Sequence, residues 1–495
     1  MTNTVPTQDD RLAIDALALR HEGAWRRGYD RFPGVINRLG LTHGVEVGVA
    51  FGGHSEAILK HTGVIQLVGV DSYRHRVGYD DPMNLPQQQF DALHERTAHR
   101  LAPFTDRFEL VRRESVDAAG LFTDERFDFI YLDADHSEDG VWRDLCAWAP
   151  KAKTGGILAG HDYGHRDFPG VKRAIDRFVG RFGWTVHEEG EGVWWAQRTA
   201  LPISYFIPCY NCETWLVQSA ASILDANLAE GDELILVNDG STDATPQLVE
   251  QLADKHPAVR AIHHAKNRGG SAARNSAVDA AQHALCFCLD SDNLVAPGSV
   301  APLRDHLLRT GVDAVGFQEL RYFTDQGGPG EITHTLAYED VITDFARYLA
   351  TKLVPGASGN YLFTKQSWQR AGGYPEQAGA LDAWGFGLRQ AATGSTMTVL
   401  PGSHYLHRHS HDSYWVRHDR AGTIDAAALD VLRPFFDQLD PRDVRYLQSE
   451  KGARVWFAQL NERPIRLKTD ANTRENSVII TKLKNRLRRL THRAA

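Results

Sequence analysis

Along the chain, short apolar runs alternate with stretches whose apolar residues recur at helical spacing, and this alternation predicts the strand–helix units of an α/β protein. Residues 9–40 read as helical, with Leu12, Ile14, Leu17 and Leu19 set among charges, and are expected to cap the first strands. Strands are predicted at 44–49, 65–70, 108–111, 127–132 and 155–160, with helices at 56–60 and 141–149 between them. Residues 184–186 and 192–196 read as a closing hairpin. A seam at 199–202 leads into a second series: a strand at 203–207, a helix at 213–224, and strands at 233–237 and 284–289. Beyond residue 440, residues 455–458 are expected to pack back on the second series. Further on, Ile479, Ile480, Leu483, Leu487 and Leu490 fall on one face of a basic amphipathic helix.

Several of these strands end in carboxylates. The run 284–289 leads into Asp290 and, two residues on, Asp292. Two acids that close repel each other unless a cation lies beside them, which suits a divalent metal; the alternative is a solvated Asp-Ser-Asp turn. The run 127–132 repeats the arrangement with Asp133, Asp135 and His136, so two strand-end sites are expected in one chain. The first strand leads through Gly48, Gly52 and Gly53 into a helix, a turn that lets backbone approach a ligand at a helix N-terminus. Its spacing is Gly-x-x-x-Gly-Gly rather than the Gly-x-Gly-x-x-Gly of dinucleotide folds. Asp71 closes the next strand, where a ribose diol is usually gripped. In the second half Asp239 follows the strand at 233–237, suited to a base or ribose, and a Gly-rich loop ends in Arg274 near a helix start, suited to a diphosphate.

Composition sets bounds on this picture. At 495 residues the chain is too long for one ordinary core, so two domains plus extensions are expected. A net charge of -8 argues against general nucleic-acid binding. No apolar run approaches a bilayer span and the polar start is no signal peptide, so a cytoplasmic location is expected. Cys146, Cys209, Cys212, Cys286 and Cys288 are read as buried reduced thiols; the Cys209–Cys212 and Cys286–Cys288 pairs lack zinc-ribbon spacing.

Three motifs of the first half, taken in order, carry a resemblance. They are Glu46-x-Gly48-x-x-x-Gly52 with Asp71, the Leu-Asp-Ala-Asp-His-Ser run from Leu132, and the Gly-Gly-Ile-Leu-Ala-Gly-His-Asp-Tyr run from Gly155. Residues 35–198 resemble a class I S-adenosylmethionine-dependent methyltransferase, Rossmann-like in fold, of the macrocin and cephalosporin-hydroxylase O-methyltransferase type. The resemblance implies that Glu46, Gly48 and Gly52 line the methionine side of S-adenosylmethionine, that Asp71 holds its ribose, and that Ser115 lies near its adenine. It also implies a Mg²⁺ site at Asp133 and Asp162, with His136 or His161 as the base that deprotonates an acceptor hydroxyl. His161 stands where an acid is often found, and a capping or supporting role for His136 is the other reading.

The second half is similar to a family 2 glycosyltransferase of GT-A fold. The likeness rests on Pro208-x-Tyr-Asn211, the Val-Asn-Asp-Gly-Ser-Thr-Asp run from Val237, the Asn-x-Gly-Gly-Ser-Ala-Ala-Arg-Asn run from Asn267, and the Leu-Asp-Ser-Asp-Asn run from Leu289. The resemblance implies that Asp239 contacts the nucleobase and Asp290 the ribose, while Asp292 binds the Mg²⁺ or Mn²⁺ that bridges the diphosphate. Leu381 replaces a usual glutamate, but Asp382 is kept as the expected catalytic base, a capping acid being the alternative. Among His407, His409 and His411, His409 is expected to complete the metal site, with His411 next. A zinc site there is the less supported alternative.

The expected layout is therefore a methyltransferase domain at 1–199, a GT-A domain at 202–440, and a basic helical extension at 441–495. The expected function is a bifunctional enzyme that transfers a sugar from a nucleotide-sugar donor with inversion and O-methylates a hydroxyl, on a glycan, lipid-linked glycan or glycosylated small molecule. The alternative is a glycosyltransferase whose first half is a non-catalytic binding module. No nucleic-acid partner is expected. The basic tail is expected to touch the inner face of a membrane, against the alternatives of a docked helix or a solvated tail.

Overall fold

The computed structural model describes residues 5–25, 31–79, 81, 83–409 and 414–468. The expected basic helix at 477–490 and the candidate ligand His411 lie outside these residues. The chain divides into two compact units, residues 1–201 with 304–311 and residues 202–303 with 312–495.

The first unit holds seven strands: β1 (His43–Val47), β2 (Gln66–Asp71), β3 (Phe108–Arg112), β4 (Phe127–Leu132), β5 (Ala152–Gly160), β6 (Val186–Gly190) and β7 (Val193–Gln197). They lie in the order β3-β2-β1-β4-β5-β7-β6, parallel from β3 to β5, with the β6–β7 hairpin antiparallel at one edge. Because β2 and β4 flank β1 on opposite sides, the order reverses at β1, and the loops that leave β1 and β4 open a crevice at the strand ends. Gly48 makes this close approach: its φ is +95°, and a Cβ there would stand 2.0 Å from the carbonyl oxygen of Asp133.

The expected helical stretch at 9–40 resolves into two helices, Gln8–Trp25 and Arg31–Leu39. The second buries Phe32, Val35 and Ile36 against Leu67, Phe129 and Ile157 of the sheet. On the first, Ile14 and Ala18 are buried beside Phe51 and Tyr73, whereas Leu12 and Leu19 are exposed, so that helix carries a narrower apolar stripe than its sequence offers.

The second unit holds β8 (Ile203–Cys209), β9 (Glu233–Asn238), β10 (Val259–His263), β11 (Leu285–Cys288), β12 (Leu294–Val295), β13 (Ala314–Phe323), β14 (Ile332–Ala337), β15 (Tyr361–Thr364) and β16 (Met397–Arg408). Their order is β10-β9-β8-β11-β15-β13-β16-β12, with β14 paired to β13. The first four strands are parallel, and β15 then runs antiparallel to both β11 and β13. This mixed α/β sheet has the character of a GT-A domain, and β11 is buried along its length, as a central parallel strand should be.

Helices at the C-terminal end complete this unit. Leu447, Trp456, Phe457, Leu460 and Ile465 join one core with Leu349, Trp384, Leu388 and Leu432. Residues 441–468 of the expected extension are thus packed into the second unit, and the run 455–458 folds back on it. All five cysteines are buried and free.

Candidate functional site

At the strand ends of the first unit, Asp133 follows β4 and Asp162 follows β5, and His136 lies between them. His136 Nε2 is 3.1 Å from Asp162 Oδ2 and 3.6 Å from Asp133 Oδ1, while its Nδ1 meets Asp81 Oδ2 at 3.2 Å. One ligating atom from each of Asp133, His136 and Asp162 can be chosen so that all lie within 4.8 Å of one another, the one such trio among the described residues. The ring of His136 stacks on Phe168 at 4.4 Å. Burial lowers the pKa of His136, but bonds to Asp133, Asp162 and Asp81 outweigh it and raise it to about 12. In this arrangement three carboxylates surround His136 and favour its protonated form.

His161 has a different setting. Its Nδ1 is 3.2 Å from Asp162 Oδ1 and its side chain is 34% exposed, so one face of the ring stays open. Burial lowers its pKa too, and the bond to Asp162 with the charge of Asp133 raises it overall. Together with Asp133, Asp135, Asp144 and His136, His161 lines a small cleft.

The residues expected around S-adenosylmethionine differ in how much of their bonding capacity is free. Glu46, on β1, is buried, and its two oxygens meet His54 Nδ1 at 2.9 Å and the hydroxyl of Ser55, which ties the strand to the helix Gly53–His61. Asp71 caps the glycine turn: Oδ2 accepts from Val49 N at 3.1 Å and Ala50 N at 2.9 Å, and Oδ1 from Tyr73 N at 2.8 Å. Burial raises its pKa against these bonds. A carboxylate has about four acceptor positions, so Oδ1 keeps room for a ribose hydroxyl. Ser115 is bonded within the chain. Its hydroxyl donates to Asp144 Oδ1 at 2.6 Å and accepts from Trp148 Nε1 at 2.9 Å.

In the second unit, Asp290 and Asp292 stand on the turn after β11. Asp290 Oδ1 accepts from Arg274 Nη2 at 2.6 Å, and its Oδ2 from Asn360 Nδ2 at 3.0 Å. Asp292 is pushed up to about 7 by burial and by the charge of Asp290. The Asp292 backbone carbonyl accepts from Arg408 Nε at 2.8 Å. The charges of Arg408 and Arg274 reach its carboxylate without offsetting its burial, and a carboxylate so placed fits a divalent cation.

Asp382 opens the helix Asp382–Ala392. Its Oδ1 accepts from the adjacent Ala383 N at 2.7 Å, and its Oδ2 accepts from Arg274 Nη1 at 2.5 Å. Burial raises its pKa, with Asp290 adding to the rise and Arg274 opposing it. Asp239 is buried, and both its oxygens are occupied by His264 Nδ1 at 2.6 Å, Arg268 N at 2.9 Å and Gly269 N at 2.7 Å. These bonds shape the glycine loop, and Oδ2, with a single donor, keeps an acceptor position. Arg274, expected as a diphosphate contact, is likewise engaged by two aspartates.

His409 is exposed, with its ring 6.1 Å from that of His334 and 6.3 Å from Tyr322. His407 is a half-buried histidine within electrostatic reach of Asp290, and desolvation lowers it to about 4. Three contributors lie outside the motifs. Asp81 comes from the loop after β2. Asn360 is fully buried beneath Asp290. Arg408 clamps the 290–293 turn, its backbone N–H reaching Asn293 Oδ1 at 3.0 Å. For Arg408 the sequence signal is its alternation with His407 and His409 along β16; for Asn360 it is an amide beginning an apolar strand.

Comparison with known proteins agrees with both halves. Residues 204–366 match the glycosyl transferase family 2 model, and residues 45–163 match a methyltransferase domain model. The chain therefore carries a methyltransferase-type domain followed by a family 2 glycosyltransferase domain. It is 34% identical over 113 residues to an uncharacterized glycosyltransferase of Haemophilus influenzae, covering 22% of this chain and 45% of that protein. It is 31% identical over 147 residues to the chondroitin synthase of Escherichia coli, covering 28% of this chain and 21% of that one. The chain thus spans less than half the length of these curated relatives. Among solved structures it is similar to S. aureus TarS 1-349 in complex with UDP-GlcNAc, with 17% identity and a TM-score of 0.40 over 52% of this chain and 72% of that one.

Proposed function

We propose that the chain is a bifunctional transferase of glycan or glycosylated-metabolite biosynthesis. Its second half takes a sugar from a nucleotide donor and passes it, with inversion, to an acceptor hydroxyl. The observation that carries this reading is the trio Asp290, Arg274 and Asp382, which joins the strand-end turn to the helix-start acid within a family 2 domain. Asp290 would accept from the donor ribose, and Asp292 would hold a Mg²⁺ or Mn²⁺ whose charge stabilises the departing diphosphate. Asp382 would take the acceptor's proton, and Asp239 would keep the glycine loop shaped for the nucleobase. The boundaries 1–199 and 202–440 are part of this proposal, and His407 joins His409 as a candidate to complete the metal site.

The first half would methylate a hydroxyl. Support comes from the methyltransferase match and from Asp133 and Asp162, carboxylates that suit a hard divalent ion in the place where His136 now balances them. S-adenosylmethionine, when bound, supplies the methyl group. Asp71 would accept from its ribose, with Glu46, Gly48 and Gly52 holding the turn beside it. His161, with a single carboxylate partner and an open face, is better suited than His136 to receive the acceptor's proton. A second reading, a non-catalytic binding module, is favoured by the bonds that engage His136 and Ser115 within the chain.

No helix of the described residues is long and apolar enough to cross a membrane. Peripheral contact at the inner face of a membrane would fall to the basic tail. The deciding experiment is a screen of nucleotide sugars for released nucleotide, run beside a screen for S-adenosylmethionine binding and turnover. Release from none of the donors would overturn the transfer reading; cofactor affinity without turnover would favour the binding module.

A further inference from the structure

The guanidinium of Arg274 lies between two carboxylates from distant parts of the chain, 2.5 Å from Asp382 and 2.6 Å from Asp290. Arg274 and Asp382 are each 8% exposed. In such a setting a satisfied charge-assisted bond is strong, and an unpaired charge is costly. The local backbone makes room for the contact: a Cβ on Gly270 would fall 2.7 Å from Arg274 Nη1 and 2.8 Å from Asp382 Oδ2. Arg274 Nε is buried with no hydrogen-bond partner. The guanidinium is therefore placed where the two aspartates need it and not where its own donors are best satisfied.

We propose that Arg274 is a positioning residue that orients Asp382 toward the acceptor hydroxyl and links that orientation to Asp290 on the donor side, instead of gripping the diphosphate. The proposal rests on the sugar-transfer reading above. A planar guanidinium bonded at both ends passes a shift of Asp290, which would contact the donor ribose, directly to Asp382. Asp382 has one further anchor, the N–H of Ala383 at 2.7 Å, so losing Arg274 frees the carboxylate to rotate. Lysine, a single point charge, cannot make both bonds in one plane. The diphosphate is left to Lys266 and Arg268, exposed on the loop before the Arg274 helix.

The test uses the full chain as wild type, Arg274→Lys, Arg274→Met, Asp382→Asn and the Arg274→Met/Asp382→Asn double variant. Binding of UDP and GDP with Mn²⁺ is measured by calorimetry, and turnover as nucleoside diphosphate released from the nucleotide sugar that wild type uses, with water as acceptor. The expected result is a kcat loss of about ten-fold or more in both Arg274 variants, with nucleotide affinity and donor KM held within about two-fold. In the double variant, Arg274→Met should add no loss beyond that of Asp382→Asn, because both changes act through one carboxylate. A roughly ten-fold weaker nucleotide affinity with kcat kept, or additive losses in the double variant, would overturn the proposal in favour of direct diphosphate binding. If the Met variants do not fold, the kcat-against-KM split of Arg274→Lys alone decides. Wild type that neither binds nor turns over any nucleotide would overturn the transfer reading as well, a result distinct from the others.

Discussion

Replacing Asn360 by leucine should loosen the second unit at its site. The side chain is fully buried and makes three bonds: Oδ1 accepts the N–H of Asp290 at 2.8 Å, and Nδ2 donates to Asp290 Oδ2 at 3.0 Å and to the Ser358 carbonyl at 2.7 Å. Leucine fills a similar volume but satisfies none of these groups. Each buried group left without a partner costs about 1–3 kcal/mol. The Asp290 side chain is 25% exposed, so water recovers part of the carboxylate's loss. Discounting for that water leaves a net loss of about 2–4 kcal/mol. With an m-value of about 3 kcal/mol/M for a unit of this size, the urea midpoint of its transition, followed by tryptophan fluorescence, should fall by about 1 M. A loss below about 0.5 kcal/mol would refute the reasoning, since it would mean that the amide is not what holds Asp290.

Asp71→Ala should weaken S-adenosylmethionine binding by the roughly 1.5–3 kcal/mol of a charge-assisted bond, and calorimetry showing no change would put the cofactor elsewhere. His136→Ala leaves Asp81, Asp133 and Asp162 facing one another without their cation, so the melting temperature should drop and millimolar Mg²⁺ or Mn²⁺ should restore it. A melting curve indifferent to metal would count against a metal site. Burial raises Asp144 to about 6, so this group is protonated in the folded state and ionised in the unfolded one between about pH 4 and 6. In that window the unfolded state binds fewer protons, so the group's contribution to stability falls as pH rises. Asp144→Asn should therefore stabilise the protein relative to wild type at pH 8 and lose that advantage near pH 4; equal differences at both values would show that Asp144 is not perturbed.

The strand ends are legible in the sequence because their signal is local. An apolar run followed at once by an acid is visible in a few residues, and Asp71, Asp133, Asp290 and Asp292 all stand at or just beyond the ends of the strands so predicted. Helix limits are less legible. The stretch at 9–40 carries apolar residues at roughly helical spacing throughout, yet Leu12 and Leu19 face solvent, because which face is buried depends on what packs there.

What each acid does is legible least, because its partners come from elsewhere in the chain. Asp382 meets Arg274 across 108 residues, and Asp290 meets Asn360 across 70. A motif supplies the residue type but not the competition for its lone pairs. Its motif points Asp239 at a nucleobase, and the loop carrying Arg268 and Gly269 also folds onto it and takes part of its acceptor capacity. The resemblance points Ser115 at an adenine, but Asp144 and Trp148 reach its hydroxyl. Asp292 is the contrasting case: it is partly buried and pushed up to about 7, because the charges of Arg408 and Arg274 do not offset its burial and the charge of Asp290. That difference separates the two kinds of acid. One whose acceptor positions are filled by its own chain builds the site, and one whose burial its neighbours do not offset is where an outside cation gains most by binding.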